Sequence, residues 1–264
     1  MTRSVTILGC GSSGGVPRVG SGWGDCDPTE PKNRRRRCSV LLRQTNAEGS
    51  TTVLVDTSPD LREQLLDADV RALDGIVFTH DHADHTHGID DVRPLVLTMR
   101  RRIDAFLDES TAKGVATRFD YIFRSPPGSE YPPILVERRI EAGNGFEVNG
   151  AGGALAIKPF RLIHGAIDAL GLRIGDMAYT PDVSDIPEAS LDDLKGLDLW
   201  IVDALRIRPH PTHFHLAQTL EWIARMQPRR AILTNLHNDL DYNVLLRDLP
   251  TTIRPAYDGM VLEF

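Results

Sequence analysis

A chain of 264 residues can bury a full core, and its 41% hydrophobic and 25% charged content is ordinary for a globular protein. A formal net charge of −7 argues against a general binder of nucleic-acid duplexes or anionic membranes, since both reward basic surfaces. The three cysteines, Cys10, Cys26 and Cys38, form no even disulfide framework, which fits a reducing cytoplasm.

Val5 to Leu8 reads as a buried strand, too short for the apolar core of a secretion signal, and no later stretch approaches a membrane span. It runs into a glycine-rich turn, Gly9 to Gly15, with two open readings: backbone N–H groups offered to a phosphate, or tight-turn geometry alone. The run Arg34 to Arg37 is either a solvated loop or a phosphate-facing segment. Ser39 to Leu42 and Thr52 to Asp56 are strand-like, and Asp60 to Leu66 has helical spacing. Gly75 to Thr79 is a short apolar strand that ends directly at His80.

Leu107 to Tyr121 reads as a turn and then a helix, with Asp108, Ser110 and Thr111 as candidate caps. Ser125 to Pro133 is a loop rich in Pro, Gly and Ser. Strand signals recur at 146–148, 155–162, 170–174, 177–180, 199–203, 231–233 and 260–264, and Leu216 to Met226 is an amphipathic helix. No repeat and no low-complexity linker divides the chain, so residues 1–264 are expected to form a single α/β unit with sheets packed inside helices.

The chemistry concentrates in His80-Asp81-His82-Ala83-Asp84-His85, placed at a strand end where a rigid scaffold presents reactive groups. Imidazole and carboxylate are natural ligands for zinc and manganese. His80 and His82 point the same way in an extended segment, while Asp84 and His85 follow in a turn and address a second ion. One turn cannot enclose two ions, so distant strand ends must contribute. His164, Asp182 and His237 each follow a predicted strand. His87 reads as a surface or supporting histidine, and Asp56 as a support for the ligands.

With these residues the chain resembles the metallo-β-lactamase fold superfamily over nearly its whole length. The likeness implies a four-layer αββα sandwich, two mixed sheets between helices, with the metal site along one edge. It implies two divalent ions, Zn or Mn. One would be held by His80, His82 and His164, the other by Asp84 and His85, and Asp182 would bridge them. Within the superfamily the chain is similar to the cyclic-phosphate phosphodiesterases of the carbon–phosphorus lyase pathway. The shared segments are the Gly9 to Pro17 loop, the Arg-rich stretch into Cys38–Ser39, LVDTSPDL from Leu54, HADHTHGIDDVRPL from His82, THF at His213 and AYDGM from Ala256.

Two departures stand out. That subgroup carries a cysteine cluster with a C-terminal histidine for a structural zinc; here only Cys26 remains, and no such zinc is expected. The last ligand histidine usually follows Thr directly, but Thr234 is followed by Asn235. His237, on the same side of an extended backbone, is taken as the ligand, with Asn235 as the fallback.

The reading is a binuclear phosphodiesterase for a small, cyclic or nucleotide-like substrate. Two ions about 3.5–4 Å apart would share a hydroxide nucleophile, positioned by Asp84 and Asp182. His213 would serve as general acid, ahead of its neighbours His210 and His215. Arg118, Tyr121 and Tyr131 are guesses at the pocket wall, and the substrate contacts stay unknown. Many relatives dimerise, so a homodimer is compatible. The rivals are a lactone or thioester hydrolase of the same fold, a non-hydrolytic cofactor-biosynthesis protein faintly suggested by Ser58 to Arg62, a tRNA-processing nuclease, and a metal-binding scaffold.

Overall fold

The computed structural model describes residues 1–264, in which fourteen strands form two seven-stranded mixed sheets. β1 (Thr2–Gly9), β2 (Ser39–Thr45) and β3 (Ser50–Val55) pair antiparallel, and β3 then runs parallel to β4 (Gly75–Val77). β5 (Ile103–Leu107) and β6 (Leu135–Arg139) continue the parallel half. α1 (Leu61–Asp67), α2 (Ala83–Thr86), α3 (Arg93–Met99) and α4 (Glu109–Phe119) lie between these strands in the chain.

The second sheet repeats the plan. β7 (Phe146–Gly150), β8 (Gly153–His164), β9 (Ile167–Ile174) and β10 (Met177–Thr180) are antiparallel neighbours. β11 (Leu199–Asp203), β12 (Arg230–Thr234) and β13 (Ile253–Pro255) then run parallel to β10, with α5 (Leu216–Met226) and α6 (Tyr242–Asp248) in the crossovers. β14 (Val261–Glu263) returns to the outer side of β1.

Near-continuous apolar strands are what a sheet buried on both faces requires. In β2 and β3, Val40, Leu42, Val53 and Val55 face the other sheet, whose Leu170, Leu172, Tyr179 and Ile201 meet them in the central core. The alternate residues Leu41 and Leu54 turn outward, onto Leu61 and Leu65 of α1 and Val115 of α4. On the far side, Trp200 and Val202 pack beneath Ile223 of α5 and Leu245 of α6. Period-two alternation therefore creates three apolar layers between four structural ones, the αββα sandwich.

Helix α4 starts where Asp108 caps it, its carboxylate accepting from the Thr111 N–H at 2.8 Å. The edge strands β6 and β13 carry charges or proline (Glu137 to Arg139, Pro255), which is how edges resist pairing and why their sequence signal is weak. No helix is long and apolar enough to cross a membrane.

The Arg34 to Arg37 run is largely consumed by the fold. Arg35 is 2% exposed, and its guanidinium donates to the Asn33 side chain and to the carbonyls of His237 and Leu240. Cys26 Sγ lies 3.9 Å from the same guanidinium, so Arg35 ties the opening loop to the segment after β12. Arg36 pairs with Asp67 and Asp258, Arg37 with Asp60, and Arg34 covers the Trp23 ring. The glycine turn is likewise a packing device. A Cβ on Gly9 would stand 2.1 Å from the Arg37 carbonyl, and the N–H groups of Gly11, Ser12 and Gly15 donate to protein carbonyls. Those three groups are committed within the fold, which favours the tight-turn reading.

Candidate metal centre

The carboxyl ends of β3, β4, β10, β11 and β12, with the end of β8, meet at one edge of the sandwich, where open α/β sheets place their ligands. From β4 the chain passes through His80 and His82 into the single-turn helix α2, which carries Asp84 and His85. His164 is the last residue of β8, and Asp182 follows β10.

Two donor groups result. The ligand atoms of His80, His82, His164 and Asp182 lie within 4.8 Å of one another, and so do those of Asp84, His85 and Asp182. Asp182 belongs to both. Its Oδ2 lies 3.8 Å from His80 Nε2 and 3.6 Å from His164 Nε2, and its Oδ1 lies 3.2 Å from His85 Nε2.

Outer partners orient the rings. His164 Nδ1 donates to the Thr212 carbonyl at 2.7 Å, which leaves the Nε2 lone pair facing inward, 3.2 Å from His82 Nδ1. His85 Nδ1 donates to Asp56 Oδ2 at 2.8 Å, and His80 Nδ1 meets the Thr79 hydroxyl at 3.0 Å. Asp56 is fully buried at φ 61°, and it also accepts from the Thr79 N–H and hydroxyl. Such partners fix tautomer and direction for metal-ligating histidines.

The fit to cations is testable on these atoms. His80 Nε2 is buried without a hydrogen-bond partner, at a cost of about 1–3 kcal/mol unless something satisfies it, and the buried His85 Nε2 and Asp182 Oδ1 have only each other. Burial pushes His80 well below the usual imidazole range, with the neighbouring His85 adding to it, and burial lowers His164. Burial would also lower His85, but Asp182, Asp84 and Asp56 reverse that and hold it well above its ordinary value. Asp182 is held well below the carboxylate range because His85, His213 and His80 outweigh its burial. The His/Asp group is one that can bind metal ions.

His213 stands at the rim. Its Nδ1 donates to Asp203 Oδ2 at 2.9 Å, and its Nε2 faces Asp182 Oδ2 at 3.9 Å. Burial alone would lower it; Asp203, with Asp182 and Asp84 behind, pushes it up to about 9. Asp203, fully buried at the end of β11, is raised to about 6 by burial, which its pairing with His213 only partly offsets. Sequence reasoning passed over Asp203, although a buried strand closing on Asp beside a site of this kind is a signal.

The expectation for His237 is corrected. It belongs to neither donor group; its Nδ1 lies 3.4 Å from Asp239 Oδ1, and its N–H donates to the Leu205 carbonyl. The same-side argument assumed an extended backbone, but Asn235 adopts φ 61°, which breaks the alternation. Asn235 is the residue beside the site, with Nδ2 3.2 Å from Asp203 Oδ1. Arg118 does not offer a free guanidinium to a pocket: it grips Asp81 through the carbonyl and the carboxylate, buttressing the histidine loop. The Tyr121 hydroxyl bonds Asp90, Tyr131 is exposed in the 125–133 loop, and His87 is exposed against the Phe119 ring. The His210 ring centroid lies 5.2 Å from that of His213, and His215 stands at the N-cap position of α5 without a side-chain capping bond.

Comparison with known proteins agrees with this geometry. Residues 51–235 match the family described as the beta-lactamase superfamily domain. A solved structure described as a new diphosphatase from the PhnP family superposes with a TM-score of 0.89 at 36% identity, covering 100% of this chain and 98% of that one. A Porphyromonas gingivalis protein named octanoyltransferase is 31% identical over 258 residues, 96% of this chain; the chain spans 50% of that relative's length. Zinc-bound PqqB from Methylobacterium extorquens shares the fold, with a TM-score of 0.73 at 17% identity over 99% of this chain and 100% of that one. With Asp182 shared between two donor groups at the edge of an αββα sandwich, and with a family match over residues 51–235, the chain belongs to the beta-lactamase superfamily, as a metallo-β-lactamase-fold hydrolase close to the PhnP family.

Proposed function

We propose that this chain is a metal-dependent phosphodiesterase acting on a small phosphodiester whose leaving group is a poor one. The observation that carries the reading is His213, paired to Asp203 and facing Asp182 across 3.9 Å. Two divalent cations, zinc or manganese, would be held by His80, His82, His164 and Asp182 and by Asp84, His85 and Asp182, and would supply an activated water and neutralisation of phosphate charge. His213, pushed up to about 9, keeps its proton at neutral pH, and its Nε2 faces the reacting edge. An alkoxide leaving group needs that proton in the transition state. Asp203 holds the ring by Nδ1 and so selects Nε2 as the donor.

A second reading draws on the relative described as a diphosphatase: cleavage of a phosphoanhydride bond. A phosphate leaving group is already a weak base and has little use for a general acid, so the His213–Asp203 pair favours the ester. The acyl-transfer name of the half-matching relative makes a thioester the third substrate to try.

Hydrolysis of a chromogenic phosphodiester, its monoester, a dinucleoside diphosphate and an octanoyl thioester by zinc- or manganese-loaded protein decides among them. Metal-dependent diester cleavage with little monoester cleavage is the expected result. Turnover of the diphosphate or thioester alone would remove the phosphodiesterase reading.

A further inference from the structure

The two donor groups are not equal. One has four donors, three of them imidazoles; the other has Asp84, His85 and the shared Asp182. The metallo-β-lactamase pattern closes the second group with a histidine directly after Thr, and here that residue is Asn235.

The Asn235 side chain is fixed in a way that does not replace the imidazole. It follows β12 directly at φ 61° and is 2% exposed. Its Nδ2 sits 3.2 Å from Asp203 Oδ1 and 3.1 Å from His213 Nδ1. A carboxylate only accepts, so the amide nitrogen must face Asp203; turning the amide over would set two oxygens against each other. That commits the amide nitrogen, so the side chain offers at most a neutral carbonyl oxygen where the pattern has an imidazole. No neighbour takes its place. His237 is turned toward Asp239, and the Cys38 thiol, behind the second group, faces the Gly11 carbonyl at 3.5 Å and the Thr234 hydroxyl at 3.7 Å.

Resting on the two-cation reading above, we infer that the sites are unequal by construction: a tight His80–His82–His164–Asp182 site, and an exchangeable Asp84–His85–Asp182 site left open for water and a substrate phosphate oxygen. Asn235 is a positioning residue, holding Asp203 so that Asp203 holds His213. Left-handed backbone tolerates this residue well, and it also tolerates glycine and, among larger residues, histidine.

The test is metal analysis of the full chain, with activity as a secondary readout. After gel filtration in metal-free buffer, wild-type protein loaded with Mn2+ or Zn2+ should retain about one ion per chain. Calorimetric titration of the stripped protein should resolve two affinities at least ~100-fold apart, the upper end of what loss of a merely supporting partner costs a metal site. Asn235→His should retain about two ions and tighten the weak site by a similar factor. Asn235→Gly should leave the weak-site Kd within about threefold while moving the alkaline limb of the pH–rate profile, which a purely structural residue would not do. Two wild-type ions of nearly equal affinity, or a more than ~10-fold weakening in Asn235→Gly, would overturn the inference while the two-cation reading stands. A folded protein that binds no ion would remove both.

Discussion

Replacing Asp203 with asparagine tests the proton-holding role of His213 with almost no change in shape. The imidazole stands at about 9 against an ordinary 6.5, and Asp203 is foremost among the carboxylates that raise it. Asp182 and Asp84 add to that rise, but cations bound to them would cancel their share, which makes Asp203 the lasting support. Burial, which opposes the charge, remains after the substitution. Loss of the carboxylate should therefore bring His213 down to its ordinary 6.5 or below. The sign is fixed: the acid works when protonated, so turnover is kept below its pKa and lost as pH rises through it. At pH 8 the protonated fraction would fall roughly 30-fold or more, whereas at pH 6 it would fall only about one- to threefold. The assay is kcat/KM against pH for a diester with an alkyl leaving group, with the thermal midpoint checked for each variant. An alkaline limb that stays in place, or a loss uniform across pH, would refute the reasoning and make Asp203 a structural residue.

Further outcomes follow from the same atoms. His213→Ala should cost an alkyl diester about 10²–10⁴ in kcat and a 4-nitrophenyl diester far less; equal losses on both would end the general-acid assignment. Ion entry to the Asp84–His85–Asp182 group must expel the His85 proton, so affinity should rise up to about tenfold per pH unit below the raised His85 pKa, with protons released. Calorimetry in buffers of different ionisation enthalpy reads this directly, and a buffer-independent heat would contradict it. Asp56→Ala removes the acceptor of the Thr79 and His85 bonds and should weaken metal binding about 10–100-fold, measured by competition with a chelating dye; unchanged affinity would mean that the His85 ring is held by packing alone.

How much of this was legible in the sequence follows from how local each feature is. The histidine loop and the central strands were readable because a six-residue run fixes the donors and apolar runs of four or five residues mark doubly buried strands. Asp182 and His164 were readable through strand-end placement together with the resemblance. The helices at 93–99 and 242–248 were missed: the first follows directly on a short 3-10 turn and buries only Val96, and the second buries only Tyr242 and Leu245. His237 failed for a reason inside one residue. Period-two alternation holds only while φ stays extended, and Asn235 leaves that region. The Arg34 to Arg37 run misled because charge on a page carries no burial. Arg35 satisfies three backbone or side-chain acceptors that lie far away in the chain or in a turn.

Asp182 is flanked by two histidines that begin from the same chemistry and end with opposite roles. Each is held through Nδ1 by a buried carboxylate at or just past a strand end, His85 by Asp56 and His213 by Asp203, and each is raised above the ordinary imidazole range. What separates them is the environment of Nε2. That of His85 is buried, 3.2 Å from Asp182 and 3.6 Å from Asp84, so its lone pair points into a nest of carboxylates that a cation can enter. A cation there removes the very charges that keep the proton on the ring. That of His213 lies 3.9 Å from Asp182 at the rim, on a side chain still 14% exposed, and Asp203 remains behind it uncompensated by any donor group for metal. On the proposed function, filling the site would strip one histidine of its proton and leave the other holding one, so that a single pattern, repeated across one carboxylate, would provide both the ligand and the acid.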